Sequence, residues 1–276
     1  MPAMTNETGG TFETNGARIY YEVEGSGEPV VLIHAGVANL RMWDEQVPVL
    51  SDSYRVIRYD TRGYGSTETD AVEFSNRADI AALLDHLGED RAHVVGLSRG
   101  GQIALDFAIE SPDRVRSLVV AAGGIGGYES PDEMPGDTWD EPEAFATAQN
   151  WEALADWETA FWADGPGQPT DRVDPAVRER VHDWILTTYR ALKEEGTPQP
   201  LDPPAVGRLG ELRAPLLVML GTLDEPGTSE SMRHLADAVP GARLEVFEGS
   251  AHMLNLEQPE RFNRALRGFL DEHRRS

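Results

Sequence analysis

At 276 residues the chain is long enough for one large domain, or a domain plus an insertion, around a buried core. Its 48 Asp and Glu against 24 Lys and Arg (Lys193 is the only lysine) give a formal net charge of −24, which speaks against nucleic acid and anionic membranes as partners and reads as an acidic coat for solubility. The absence of cysteine excludes disulfides, thiolate metal sites and a cysteine nucleophile; with no apolar run of about 18 residues and no signal-peptide core in the polar start, a cytoplasmic location is expected.

In chain order, residues 11–14 and 18–24 read as an antiparallel hairpin turning on Asn15 and Gly16. Pro29 to His34 is a continuous apolar run, the mark of a strand covered on both faces, and it ends in His34-Ala35-Gly36-Val37. A helix is expected over Met42 to Leu50. A strand follows from Tyr54 to Asp60 and runs into the Gly-rich turn Asp60 to Thr67, where Asp60 and Arg62 read as a turn-stabilising pair. Ile80, Leu83, Leu84 and Leu87 recur at helical spacing and predict an amphipathic helix over 76–87.

Next comes Val94-Val95-Gly96-Leu97-Ser98-Arg99-Gly100-Gly101, an apolar strand and a Gly96-x-Ser98-x-Gly100 turn leading into a small-residue helix. Glycines at those two places let the turn tighten until Ser98 stands on a strained elbow with its hydroxyl exposed. The helix behind it aims free N–H groups and its positive dipole end at the same spot. After the helix stops at Ser111-Pro112, Val115 to Ala122 is the next strand. This alternation predicts a mostly parallel sheet flanked by helices on both faces.

The rhythm breaks after Gly127. From Glu129 to Glu143 there are seven acidic residues, three prolines and no base, and helical stretches follow near 143–163 and 175–195. Five of the six tryptophans (Trp139, Trp151, Trp157, Trp162, Trp184) fall in this part, and no strand reads clearly in it. Residues 128–206 are therefore taken as a helical insertion, a cap or apolar lid, with 1–127 and 207–276 forming the core. Strand-like runs resume at Pro215 to Gly221, ending in Thr222-Leu223-Asp224-Glu225. A helix over 229–238, a strand from Ala242 to Phe247, the loop that carries His252 and a last helix from Pro259 complete the chain.

Ser98, Asp224 and His252 each follow a predicted parallel strand, and such loops line one edge of an open α/β sheet. The order Ser…acid…His, with the acid after the insertion, resembles the α/β-hydrolase fold superfamily, in particular its capped esterases, lactonases and C–C bond hydrolases. The likeness runs from His34-x-Gly36 through Asp60-x-Arg62-Gly63-x-Gly65 to Gly249-x-x-His252 and Glu257-x-Pro259-Glu260-x-Phe262. It departs at Ala35, where the family often has glycine, and at Thr67. It implies Ser98 as nucleophile, His252 as general base and Asp224 as the acid that orients it, with Glu225 next door as a weaker candidate. The oxyanion donors implied are the backbone N–H groups of Arg99 and Gly36, and no metal or cofactor is required.

The resemblance makes His34 structural and argues against the aspartate-nucleophile chemistry of haloalkane dehalogenases and epoxide hydrolases. Arg99, where proline iminopeptidases usually carry tryptophan, argues against that subgroup, and its side chain reads as packed or solvated. The expected activity is hydrolysis of a small ester or lactone by a monomer or homodimer. C–C bond hydrolysis of a dicarbonyl ring-cleavage product, and ligand binding or signalling with little turnover, are the alternatives.

Overall fold

The computed structural model describes residues 8–131 and 134–274. Its central sheet is built from β1 (Thr8–Thr14), β2 (Ala17–Gly25), β3 (Glu28–Ile33), β4 (Tyr54–Tyr59), β5 (Ala92–Leu97), β6 (Val115–Ala121), β7 (Leu216–Gly221) and β8 (Arg243–Phe247), in the spatial order β1-β2-β4-β3-β5-β6-β7-β8. Strand β2 runs against β1, β4 and a ninth, two-residue strand, Glu68–Thr69, and the pairings from β4 to β8 are all parallel. This is the α/β-hydrolase arrangement anticipated from the sequence.

Because side chains alternate along a strand, the apolar run of β3 serves two cores at once. Val31 and Ile33 face α1 (Asn76–Leu87) and α2 (Arg99–Glu110), whereas Val30 and Leu32 belong to the opposite layer with Trp43, Phe262 and Phe269. Helix α1 starts at Ser75, whose side chain accepts the Ala78 N–H, and stops at Gly88 in the left-handed region. The last helix, Pro259–Glu272, buries Phe262, Leu266, Phe269 and Leu270, each worth about 1.5–3 kcal/mol of apolar transfer.

Three local expectations change. The single helix over 42–50 resolves into a 3-10 turn, Leu40–Trp43, and a helical turn, Val47–Leu50. Pro48 has no N–H to bond the carbonyl one turn back, so a continuous helix cannot pass it. Asp60 and Arg62 do not pair. Asp60 accepts the N–H groups of Leu40 and Ser66, while Arg62 forms a buried fork with Asp79 at 2.8 and 2.9 Å. The third lies between 128 and 206, where helices α3 (Asp140–Thr147), α4 (Trp151–Thr159) and α5 (Pro175–Ala191) are accompanied by a two-residue strand, Thr197–Pro198, beside Glu73–Phe74. Gln149, at φ 53°, breaks what reads as one helix into α3 and α4. Among the described residues, no helix is long and apolar enough to cross a membrane.

Candidate active site

Ser98 sits between β5 and α2 at φ 57°, ψ −123°, a conformation a non-glycine residue holds at a cost of about 1–3 kcal/mol. The two glycines beside it make this possible. A Cβ on Gly96 would lie 2.0 Å from the Gly100 carbonyl oxygen, and one on Gly100 would lie 2.2 Å from that of Ile33. Helix α2 begins at Arg99, so the first backbone N–H groups of the helix point toward the serine.

Past β7, Asp224 accepts from the ring of His252 in the loop after β8. Nδ1 lies 2.9 and 3.0 Å from the two carboxylate oxygens, and both residues are almost fully buried. That bond requires the proton on Nδ1 and leaves Nε2 with its lone pair. Glu225 is occupied elsewhere. It caps helix α6 (Pro226–Ala238), accepting the N–H groups of Gly227 and Thr228.

Ser98, Arg99 and His252 line one cavity of about 600 Å³, with Tyr128, Met134, Trp139 and Trp162 among its other walls. Asp224 stands behind His252 rather than in the cavity wall. Gly36 lies in the turn after β3, beside the Arg99 side chain and the Tyr64 hydroxyl. The Arg99 guanidinium is partnered: Nη1 donates to Thr61 Oγ1 at 2.7 Å and Nη2 to Glu195 at 2.8 Å, and it lies over the Tyr64 ring. Gln102, one helical turn after Ser98, also lines the cavity.

The sequence did not single out Trp162, Arg172 or the part Glu257 plays. Trp162 rests on His252 with ring centroids 4.5 Å apart. Glu257 accepts the N–H of Ala251 and pairs with Arg172 at 2.6 Å. Burial raises its carboxyl above the ordinary range, and Arg172 opposes that rise. Only the aromatic content near 157–162 hinted at this arrangement. No group of three His, Asp or Glu among the described residues is placed to hold a metal ion.

The family model described as alpha/beta hydrolase fold matches residues 28–259. The chain is 31% identical over 266 residues to a 2-hydroxy-6-oxononadienedioate/2-hydroxy-6-oxononatrienedioate hydrolase of Burkholderia vietnamiensis, covering 92% of this chain and 91% of the relative. It is 30% identical over 237 residues to 3-oxoadipate enol-lactonase 2 of Acinetobacter baylyi, covering 83% of each. The crystal structure of the enol-lactonase from Burkholderia xenovorans LB400 superposes with a TM-score of 0.76 at 26% identity, over 95% of this chain and 99% of that one.

Proposed function

The chain belongs to the α/β-hydrolase fold family and is a hydrolase, and on that premise we propose that it cleaves a small, uncharged ester or lactone through an acyl-enzyme on Ser98. The observation that carries the reading is the hydrogen bond that His252 Nδ1–H donates to the Asp224 carboxylate, beside a serine held on a strained turn and lining the same cavity as the histidine. His252 Nε2 takes the Ser98 proton as Oγ attacks the carbonyl carbon. The oxyanion accepts from the N–H of Arg99, at the N-terminus of α2, and from that of Gly36, in the turn after β3. The imidazolium, stabilised by Asp224, gives its proton to the departing alkoxide. Water, deprotonated by the same ring, then attacks the acyl-enzyme, and Ser98 recovers its proton. Residues 128–206 act as a cap that closes over this reaction.

Charge favours a neutral substrate. Arg99 is the only Lys or Arg in the described cavity wall, and Glu195 and Thr61 hold its guanidinium. The stretch from Glu129 to Glu143, with seven acids and no base, supplies Ser130, Met134, Gly136 and Trp139 to that wall. A dianion such as the dienedioate in the relative's name meets no free cation there. The identity to that relative nevertheless supports a second reading, C–C bond hydrolysis of a dicarbonyl compound by the same residues. Assays with neutral p-nitrophenyl esters, lactones and a carboxylated dienone separate the two. Turnover of the neutral esters or lactones is expected. Turnover of the dienone alone selects the second reading, and tight binding without turnover rejects both.

A further inference from the structure

Arg172 lies in the insertion, far from Ser98 in sequence, yet every polar atom of its guanidinium is spent on the two segments that flank His252. Nη2 donates to the Ala163 carbonyl at 2.7 Å and Nε to that of Asp164 at 2.6 Å. Nη1 donates to the Gly249 carbonyl at 2.8 Å and to Glu257 at 2.6 Å. The first two carbonyls belong to a π-helical turn, Ala160–Asp164, which carries Trp162. The other two acceptors belong to the loop and turn around His252, where Glu257 also takes the N–H of the residue just before the histidine.

Two further contacts fix the same turn, the second of them against the site. The fully buried Asp164 carboxylate is held by Arg178 Nε at 2.9 and 3.2 Å. Gly165 follows at φ 95°, so close that a Cβ there would lie 2.8 Å from the Leu223 carbonyl and 3.0 Å from Ala251 Cβ. Leu223 and Ala251 immediately precede Asp224 and His252. The turn is thus docked on both loops that carry the acid and the base. Its indole, steadied by Phe161 at 4.7 Å, tilts at 45° against the imidazole.

We propose that Arg172 is a positioning residue that clamps the Trp162 indole onto the His252 imidazole and so fixes where Nε2 points. This rests on His252 being the general base. Asp224 restrains the ring only through Nδ1, at one end. The indole blocks the sideways swing about that hydrogen bond and keeps water from the ring face. Arg172 sets how far the indole stands from the histidine, because one planar fork spans both segments. A lysine keeps the charge beside Glu257 but cannot reach three carbonyls at once.

The test is a double-mutant cycle on kcat per active site, the sites being counted by complete reaction with an organophosphonate. Arg172→Lys and Trp162→Ala should each lower kcat by about 10- to 100-fold with KM moving far less, since misplacing a catalytic group by about 1 Å costs on that order. The double variant should be no worse than Trp162→Ala alone, because both act through one contact. Multiplying losses, or unchanged kcat in Arg172→Lys, would overturn the proposal.

Fluorescence supplies a readout that needs no substrate. Release of the Trp162 indole from its contact with His252 should red-shift the emission of Arg172→Lys and raise its quenching by acrylamide. Neither change should appear when Arg172→Lys is made in a Trp162→Phe background. An unshifted Arg172→Lys, or a shift that persists without Trp162, contradicts the clamp. If the wild type takes up no organophosphonate, it is the hydrolase reading of the site that fails; full uptake with an indifferent Arg172→Lys removes the clamp alone.

Discussion

His34 and His252 both lie buried in segments that leave the carboxyl ends of parallel strands, and they are wired in opposite ways. The His34 ring gives its one proton from Nδ1 to the Ala35 carbonyl at 2.7 Å, and its Nε2 lone pair accepts the Thr61 N–H at 3.0 Å. Both functions of the neutral ring are used, and burial pushes its pKa down to about 3. His252 instead donates Nδ1–H to a carboxylate and has a cavity on the other side, a setting that fixes the proton on Nδ1 and leaves Nε2 without a protein partner. Burial is common to both rings; the partner at Nδ1 is what separates them.

The largest expected contrast is in turnover. His252→Ala should cost about 10⁴- to 10⁶-fold in kcat, as the members of a serine triad act as a unit, and Asp224→Asn about 10⁴-fold through the wrong tautomer. His34→Ala, assayed on its folded fraction, should lose far less. A comparable loss there would erase the distinction between the two rings.

Stability should respond the other way round. His34→Ala strands the Thr61 N–H and the Ala35 carbonyl, at about 1–3 kcal/mol for each group, and urea unfolding measures the sum. The pH dependence has a definite sign. Below about 6.5 the unfolded chain binds a proton that folded His34 refuses until about 3, so its contribution is present above pH 6.5 and is lost as pH falls through that window.

Asp106 sharpens the comparison because its sign is reversed. Burial lifts its carboxyl to about 6, and Oδ1 has no hydrogen-bond partner among the described residues. The folded chain keeps this proton longer than the unfolded one, so stability drops as pH rises from about 4 to about 6. Asp106→Asn should gain on the order of 1 kcal/mol at pH 7.5 and almost nothing at pH 4, read from urea midpoints at the two values.

The smallest effect concerns the neighbouring acids. Glu225→Ala removes a helix cap and should cost about 1 kcal/mol of stability, with a loss of turnover well below that of Asp224→Asn. If Glu225 proves the more damaging in kinetics, the acid is misassigned by one residue.

What the sequence made legible follows from the range of the interactions. The sheet and the Ser98 turn were readable because apolar runs and Gly96-x-Ser98-x-Gly100 are local signals. The choice between Asp224 and Glu225 could have been made locally as well: a glutamate directly before Pro226 is well placed to cap the helix that the proline opens. Sequence proximity suggests a pair of Asp60 and Arg62, but contact is not set by proximity: Arg62 finds Asp79 on a helix packed beside the turn. Arg172 left no trace, since three of its four acceptors are backbone carbonyls and the fourth, Glu257, comes 85 residues later.

The most direct test of the central claim is mass mapping of the protein after reaction with an organophosphonate ester. One adduct per chain is expected, on the peptide that contains Ser98, absent from Ser98→Ala and formed at least about 10³-fold more slowly in His252→Ala. An adduct on another serine, or an undiminished labelling rate without His252, would contradict it.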